Sequence, residues 1–169
     1  MATYGRVHKS YVAMTPEEVW RFIDGQRTMF IAFGTDDGFP HLTPVWYVLA
    51  DEKLYFRTTT GKTKAKLADA GRVCCSIADG ERFTELRGVM VRGRTRLVSE
   101  ADLTEQYQRL KAVKYAGLTS ADLEVPDLWS RARSAEAQTI IEITPERITS
   151  WDNRKLASWR QEVHIGANS

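Results

Sequence analysis

A chain of 169 residues and 19.2 kDa is one ordinary domain, long enough to bury a full core without disulfides or a structural metal. Hydrophobic residues make up 43% and charged residues 27%, a globular balance that excludes a disordered or fibrous chain. Twenty-four Lys and Arg against 22 Asp and Glu leave a formal charge of +2, so no global field recruits nucleic acid or an anionic membrane, and any anion site is local.

The N-terminus carries Arg6, His8 and Lys9, but no apolar stretch follows, so no secretory leader is expected. The longest apolar runs, residues 29–33 and 45–50, fall far short of the roughly 20 residues of a membrane span. Thr15-Pro16-Glu17-Glu18 is a helix start, with Thr15 as N-cap, proline at the first helical position and Glu18 placed to close a capping box. That helix should end at Gly25. Residues 28–60 then read as a three-strand meander, TMFIAFGT, PHLTPVWYVLA and KLYFRTTT, with turns at Asp36-Asp37-Gly38 and Asp51-Glu52.

Residues 61–70 form a short Lys/Ala-rich helix in this reading, followed by the strand VCCSIA, a turn at Asp79-Gly80 and a long strand over residues 85–98. Ser99-Glu100-Ala101-Asp102 repeats the capping pattern and opens a helix to Tyr115, where Gly117 stops it. A further helix is expected over residues 127–134, then a strand QTIIEIT broken by Pro145, with ITSWDNRKL leading into a loosely ordered tail over residues 157–169. Strands joined mostly by short turns cannot build a doubly wound sheet, so the expected fold is a single mainly β domain, an antiparallel barrel with peripheral helices.

Adjacent Cys74 and Cys75 point to opposite faces of a strand, so a mutual disulfide would be strained, and reduced thiols fit the cytoplasm. His8, His41 and His164 lie far apart and match no metal-ligand spacing, so no metal is expected. No GxGxxG, Walker loop or nucleophile elbow occurs.

The informative segment is FRTTTGKTKAKL, residues 56–67. A strand ends in Arg57, Thr58 and Thr59, Gly61 lets the chain turn, and Lys62, Thr63 and Lys64 enter a helix beside its free amides, which is the donor set a phosphate needs. A solvated basic helix would carry the same residues. Arg92, Arg94 and Arg96 alternate onto one face of a strand, either a solvent face or a groove for an acidic ligand or subunit. Trp46 and Trp151 are core candidates, although Trp151, beside polar residues, could also wall a pocket for a planar ligand.

The order DGFPHLTPVWYVLADEKLYFRTTTGKTKAKLADAGRVCCSIADG, then LRGVMVRGRTRLV, then ITSWDNRKL resembles the pyridoxamine-phosphate-oxidase-like, FMN-binding split β-barrel family, over residues 15–156. The last of these segments is similar to the branch that uses the deazaflavin coenzyme F-420. The resemblance implies a cytoplasmic homodimer that binds FMN or F-420 at its interface and transfers a hydride to a small planar organic substrate. It puts the coenzyme phosphate on Lys62 and Lys64, with Arg57, Thr58, Thr59 and Thr63 beside them, and the ring along Thr43, Pro44, Val45 and Trp46. Trp151 and Arg154 would reach the site of the other subunit. It names no side-chain acid or base. The segment NRKLASWRQEVH lacks the Arg- and His-rich end of vitamin B6 oxidases, so B6 oxidation is not implied. A non-catalytic carrier of flavin, deazaflavin or haem on the same barrel is the competing expectation.

Overall fold

A computed structural model describes residues 2–4, 10–61, 71–118 and 138–157. In chain order these form β1 (Thr3–Tyr4), a 3-10 turn (Ser10–Val12), α1 (Pro16–Gly25), β2 (Thr28–Phe33), β3 (His41–Ala50), β4 (Lys53–Thr59), β5 (Val73–Asp79), β6 (Arg87–Val98), α2 (Ala101–Lys114), β7 (Gln138–Asp152) and a second 3-10 turn (Asn153–Lys155). The sheet runs β1-β7-β4-β3-β2-β5-β6, and β6 pairs again with β7. Six antiparallel strands therefore close on themselves, as the patterning predicted, and β1 adds outside, parallel to β7. The helices expected over residues 61–70 and 127–134 and the tail beyond residue 157 lie outside the described residues.

Period-two patterning sets the core. Met29, Ile31 and Phe33, Val45 and Tyr47, Leu54 and Phe56, Val73, Cys75 and Ile77, Val89 and Val91, and Ile141 and Ile143 all turn inward. Cys75 is fully buried, while Cys74 turns to the outer face. α1 starts as expected: the Thr15 hydroxyl accepts the Glu18 N–H at 3.3 Å, and Glu18 accepts the Thr15 N–H at 2.7 Å. Val19, Phe22 and Ile23, spaced i, i+3, i+4, give it the apolar stripe that joins the core. Asp51 and Glu52, at φ 49° and 57°, form the two-residue turn between β3 and β4 in the left-handed region that matches strand twist.

A second cluster lies outside the barrel. α2 lays Tyr107 and Tyr115 on Val48, Tyr55 and Ile140, which are the outward residues of β3, β4 and β7. Its cap differs from the expectation, since Glu100 is the N-cap and no side chain bonds the first turn.

Pro145 does not end the last strand, which continues to Asp152. The reason is a bulge: the β6 partner register shifts between Arg92 and Gly93, and Pro145 sits opposite Gly93 at that irregularity, where a missing N–H costs little. Among the described residues, no helix is long and apolar enough to cross a membrane.

Candidate functional site

β3 pairs with β2 over His41–Trp46 and with β4 only over Tyr47–Ala50. β4 separates from β3 after Phe56 and continues with β7 alone through Arg57, Thr58 and Thr59. The sheet thus splits between Thr43–Trp46 on one bank and Arg57–Thr59 on the other, and two segments marked in the sequence border one opening.

Strand alternation decides what each bank presents. Tyr47 gives its N–H to the Tyr115 hydroxyl at 2.9 Å, and that hydroxyl also lies 2.7 Å from the Arg27 and Tyr47 carbonyls, on the β2 side. Neighbouring amides of an antiparallel strand point oppositely, so the Trp46 N–H and the Pro44 C=O turn toward the split, beyond the Tyr47–Phe56 pair at which the β3–β4 ladder ends. These are the edge groups a heteroaromatic ring could bond. On the far bank, the Arg57 backbone hydrogen-bonds the Tyr107 hydroxyl, and Gln138 Nε2 donates to Thr59 Oγ1 at 3.4 Å.

Side chains divide by the same rule. Pro44 and Trp46 face outward and are exposed, whereas Val45 points into the core and contributes only backbone. Thr43 is half-buried on the inner side. Arg57 and Thr59 lie on the outer face, but Thr58 turns inward and is 6% exposed, so the strand-end polar residues are not one cluster. Trp46 stacks on Tyr115, centroids 4.4 Å apart and planes 11° from parallel, leaving it 42% exposed. Lys62, Thr63 and Lys64 lie outside the described residues.

Lys114, the last residue of α2, holds its ammonium 4.2 Å from the Tyr47 ring centroid, buried and without a hydrogen-bond partner among the described residues. Burial lowers its pKa to about 8, Asp24 acting against the shift and Arg27 with it. Burial also raises Tyr107 and Tyr115 to about 12, so both remain phenols at neutral pH. The signal for α2 was its i, i+8 pair of tyrosines, which one helical face presents together.

Trp151 and Arg154 stand elsewhere. β7 is 15 residues long; its Gln138 end meets Thr59, and its Asp152 end pairs with Arg87, so within one chain these two residues are remote from the split. The Trp151 indole lies on Gly88 so closely that an added Cβ would fall 2.3 Å from the ring. Arg154 grips the buried Asp152 carboxylate through Nε at 2.9 Å and Nη2 at 2.6 Å. The basic row of β6 is largely spent as well: Arg94 pairs with Glu146 at 2.6 Å, and Arg96 with Glu142 at 2.9 Å and Glu100 at 2.7 Å. Arg92, opposite Arg147, makes no ion pair among the described residues.

Comparison with known proteins adds a family. The family model described as "Pyridoxamine 5'-phosphate oxidase" matches residues 15–152. No curated protein sequence matches the chain significantly. Among solved structures, a conserved hypothetical protein of Mycobacterium tuberculosis is 26% identical at TM-score 0.75, over 90% of this chain and 93% of that one. An FAD-binding protein of Mycobacterium smegmatis, 17% identical at TM-score 0.58 over 80% and 93%, shares the fold. So does a haem storage protein of Vibrio cholerae, 12% identical at TM-score 0.59 over 79% and 92%.

Proposed function

From the premise that the chain belongs to the pyridoxamine 5'-phosphate oxidase family and has its split-barrel fold, we propose that it binds a flavin-type coenzyme at the opening between β3 and β4. The observation that carries this reading is the unpaired β3 edge at Pro44 and Trp46 facing Arg57 and Thr59. A flavin or deazaflavin ring needs such a strand edge for its heteroatoms and an apolar wall for its faces, and Pro44 and Trp46 supply both. The phosphate falls to Arg57 and Thr59, with Lys62, Thr63 and Lys64 following them in sequence. Val45 and Thr58 act only through backbone and packing.

When bound, the coenzyme, F-420 or FMN, supplies the hydride chemistry, reducing a small planar organic substrate. This chain's part is to hold the ring edge, keep the phosphate anchored and exclude water with the Trp46–Tyr115 stack. Neither Tyr107 nor Tyr115 is ionised at neutral pH, and both hydroxyls are committed to backbone, so no side-chain acid or base is assigned.

The assembly is proposed as a cytoplasmic homodimer. Leu42 and Phe30, 62% and 49% exposed, adjoin Pro44 and Trp46 on the outer face of β2 and β3, an apolar surface that a second copy would cover. In such a dimer Trp151 and Arg154 would approach the partner's split. A second reading, a non-catalytic carrier, rests on the fold shared with the haem storage protein.

One measurement tests the binding site and a second separates the two readings. Lys62→Ala with Lys64→Ala should weaken coenzyme binding by more than about tenfold with the fold intact, each charged contact being worth roughly 1.5–3 kcal/mol. Reduced coenzyme on the protein should then be reoxidised by a quinone or nitroaromatic acceptor faster than free coenzyme. Equal rates would favour the carrier.

A further inference from the structure

At the β7 end remote from the split, α1 and the paired ends of β6 and β7 enclose a cleft of about 290 Å³ whose walls include Met14, Arg21, Phe22, Arg87, Asp152 and Arg154. Three guanidinium groups around one small cleft repel each other unless something answers them. Two are answered on one side only. Arg87 gives Nε and Nη2 to Asp79, at 3.0 and 2.6 Å, and lies 5.0 Å over the Phe22 ring. Arg154 gives Nε and Nη2 to Asp152.

The carboxylates fix both forks in place and leave each Nη1 without a hydrogen bond among the described residues. Arg21 makes no hydrogen bond or ion pair among them; its charged neighbour is Glu17, one turn back and outside the cleft wall. Glu18, which also lines the cleft, is neutralised by Lys155 at 2.5 Å. The wall itself carries three guanidiniums against the two carboxylates of Glu18 and Asp152, an excess of one positive charge beside the apolar surfaces of Met14 and Phe22.

We propose that this cleft is a binding site for a small organic carboxylate. Its head group takes the unused Nη1 groups of Arg87 and Arg154 and the guanidinium of Arg21, while its apolar body rests on Phe22 and Met14. A guanidinium fork matches a planar carboxylate, and one surplus charge matches a monoanion better than a phosphate dianion. The site is built from one chain's own residues and shares Arg154 with the coenzyme reading.

The test titrates the full chain with benzoate and with its neutral isostere benzamide, by ligand-observed NMR and 15N spectra of the arginine Nε–H groups. The expected result is a benzoate Kd below about 10 mM, shifts at Arg87 and Arg154, and affinity about tenfold weaker for benzamide and for Arg21→Gln. Arg21 is exposed, so Arg21→Gln should keep the wild-type unfolding midpoint and its FMN and F-420 affinities. Absence of benzoate binding, equal binding of benzamide, an unaffected Arg21→Gln, or displacement of benzoate by equimolar inorganic phosphate would each overturn the proposal.

Discussion

The Tyr115 hydroxyl takes the Tyr47 backbone N–H at 2.9 Å and sits 2.7 Å from the Arg27 carbonyl, standing where a β2–β3 ladder bond would otherwise form. It couples α2 to the bank of the split and sets the ring against which Trp46 stacks. Tyr115→Phe keeps the ring but strands a buried amide and carbonyls. Its stability should fall by about 1–3 kcal/mol in denaturant melts, and Trp46 emission should shift as the stack loosens.

Glu142 is buried on the outer face and accepts hydrogen bonds from Lys53, Tyr55 and Arg96. Burial pushes its carboxyl up, and the bonds from Arg96, Lys53 and Tyr55 outweigh that, holding it at about 2. A folded value below the unfolded one means the contribution is complete above the unfolded pKa near 4.5 and is lost as pH falls toward 2. Glu142→Gln should cost about 1–3 kcal/mol at pH 7 and flatten the decline in stability between pH 4.5 and 2, measured by urea titration across pH.

Lys114 carries the opposite sign of pH dependence. Its folded pKa of about 8 lies below the unfolded 10.5, so the unfolded chain binds the extra proton between those values and stability rises with pH across them. Lys114→Met should remove that rise. Because the side chain is only partly buried, the expected gain at pH 7 is about 1 kcal/mol, discounted for solvent screening.

Much of this was readable beforehand. The capping box at Thr15, the turn at Asp51-Glu52 and the inward alternation of β2 to β6 follow from local pattern, and the structure has them. The strand through Pro145 was not readable, because the bulge that tolerates it is set by Gly93 on another strand, 52 residues earlier. At the site, sequence marked both banks of the split but could not show that Thr58 and Val45 turn inward, which depends on register. Nor could it show that Arg94 and Arg96 are occupied by Glu146 and Glu142, since cross-strand pairing at those separations is a tertiary fact.

Gly88 gives Trp151 its seat. A methyl group there would lie 2.3 Å from the indole, so Gly88→Ala must displace the ring. Overpacking of this kind costs about 1–3 kcal/mol, and a red-shifted tryptophan emission with a lowered unfolding midpoint would register it. In a dimer whose Trp151 reaches the partner's split, coenzyme affinity should fall as well.

A flavin-type coenzyme in the β3–β4 opening would sit against Trp46 and Arg57. The most direct measurement is equilibrium titration of the purified protein with FMN and with F-420 in parallel, followed by coenzyme and tryptophan fluorescence, for wild type, Trp46→Ala and Arg57→Ala. The expected result is a Kd below about 100 µM, roughly −5.5 kcal/mol, for at least one coenzyme, and about tenfold weaker binding in each variant. Binding of neither coenzyme below that concentration, or binding indifferent to both substitutions, would contradict it.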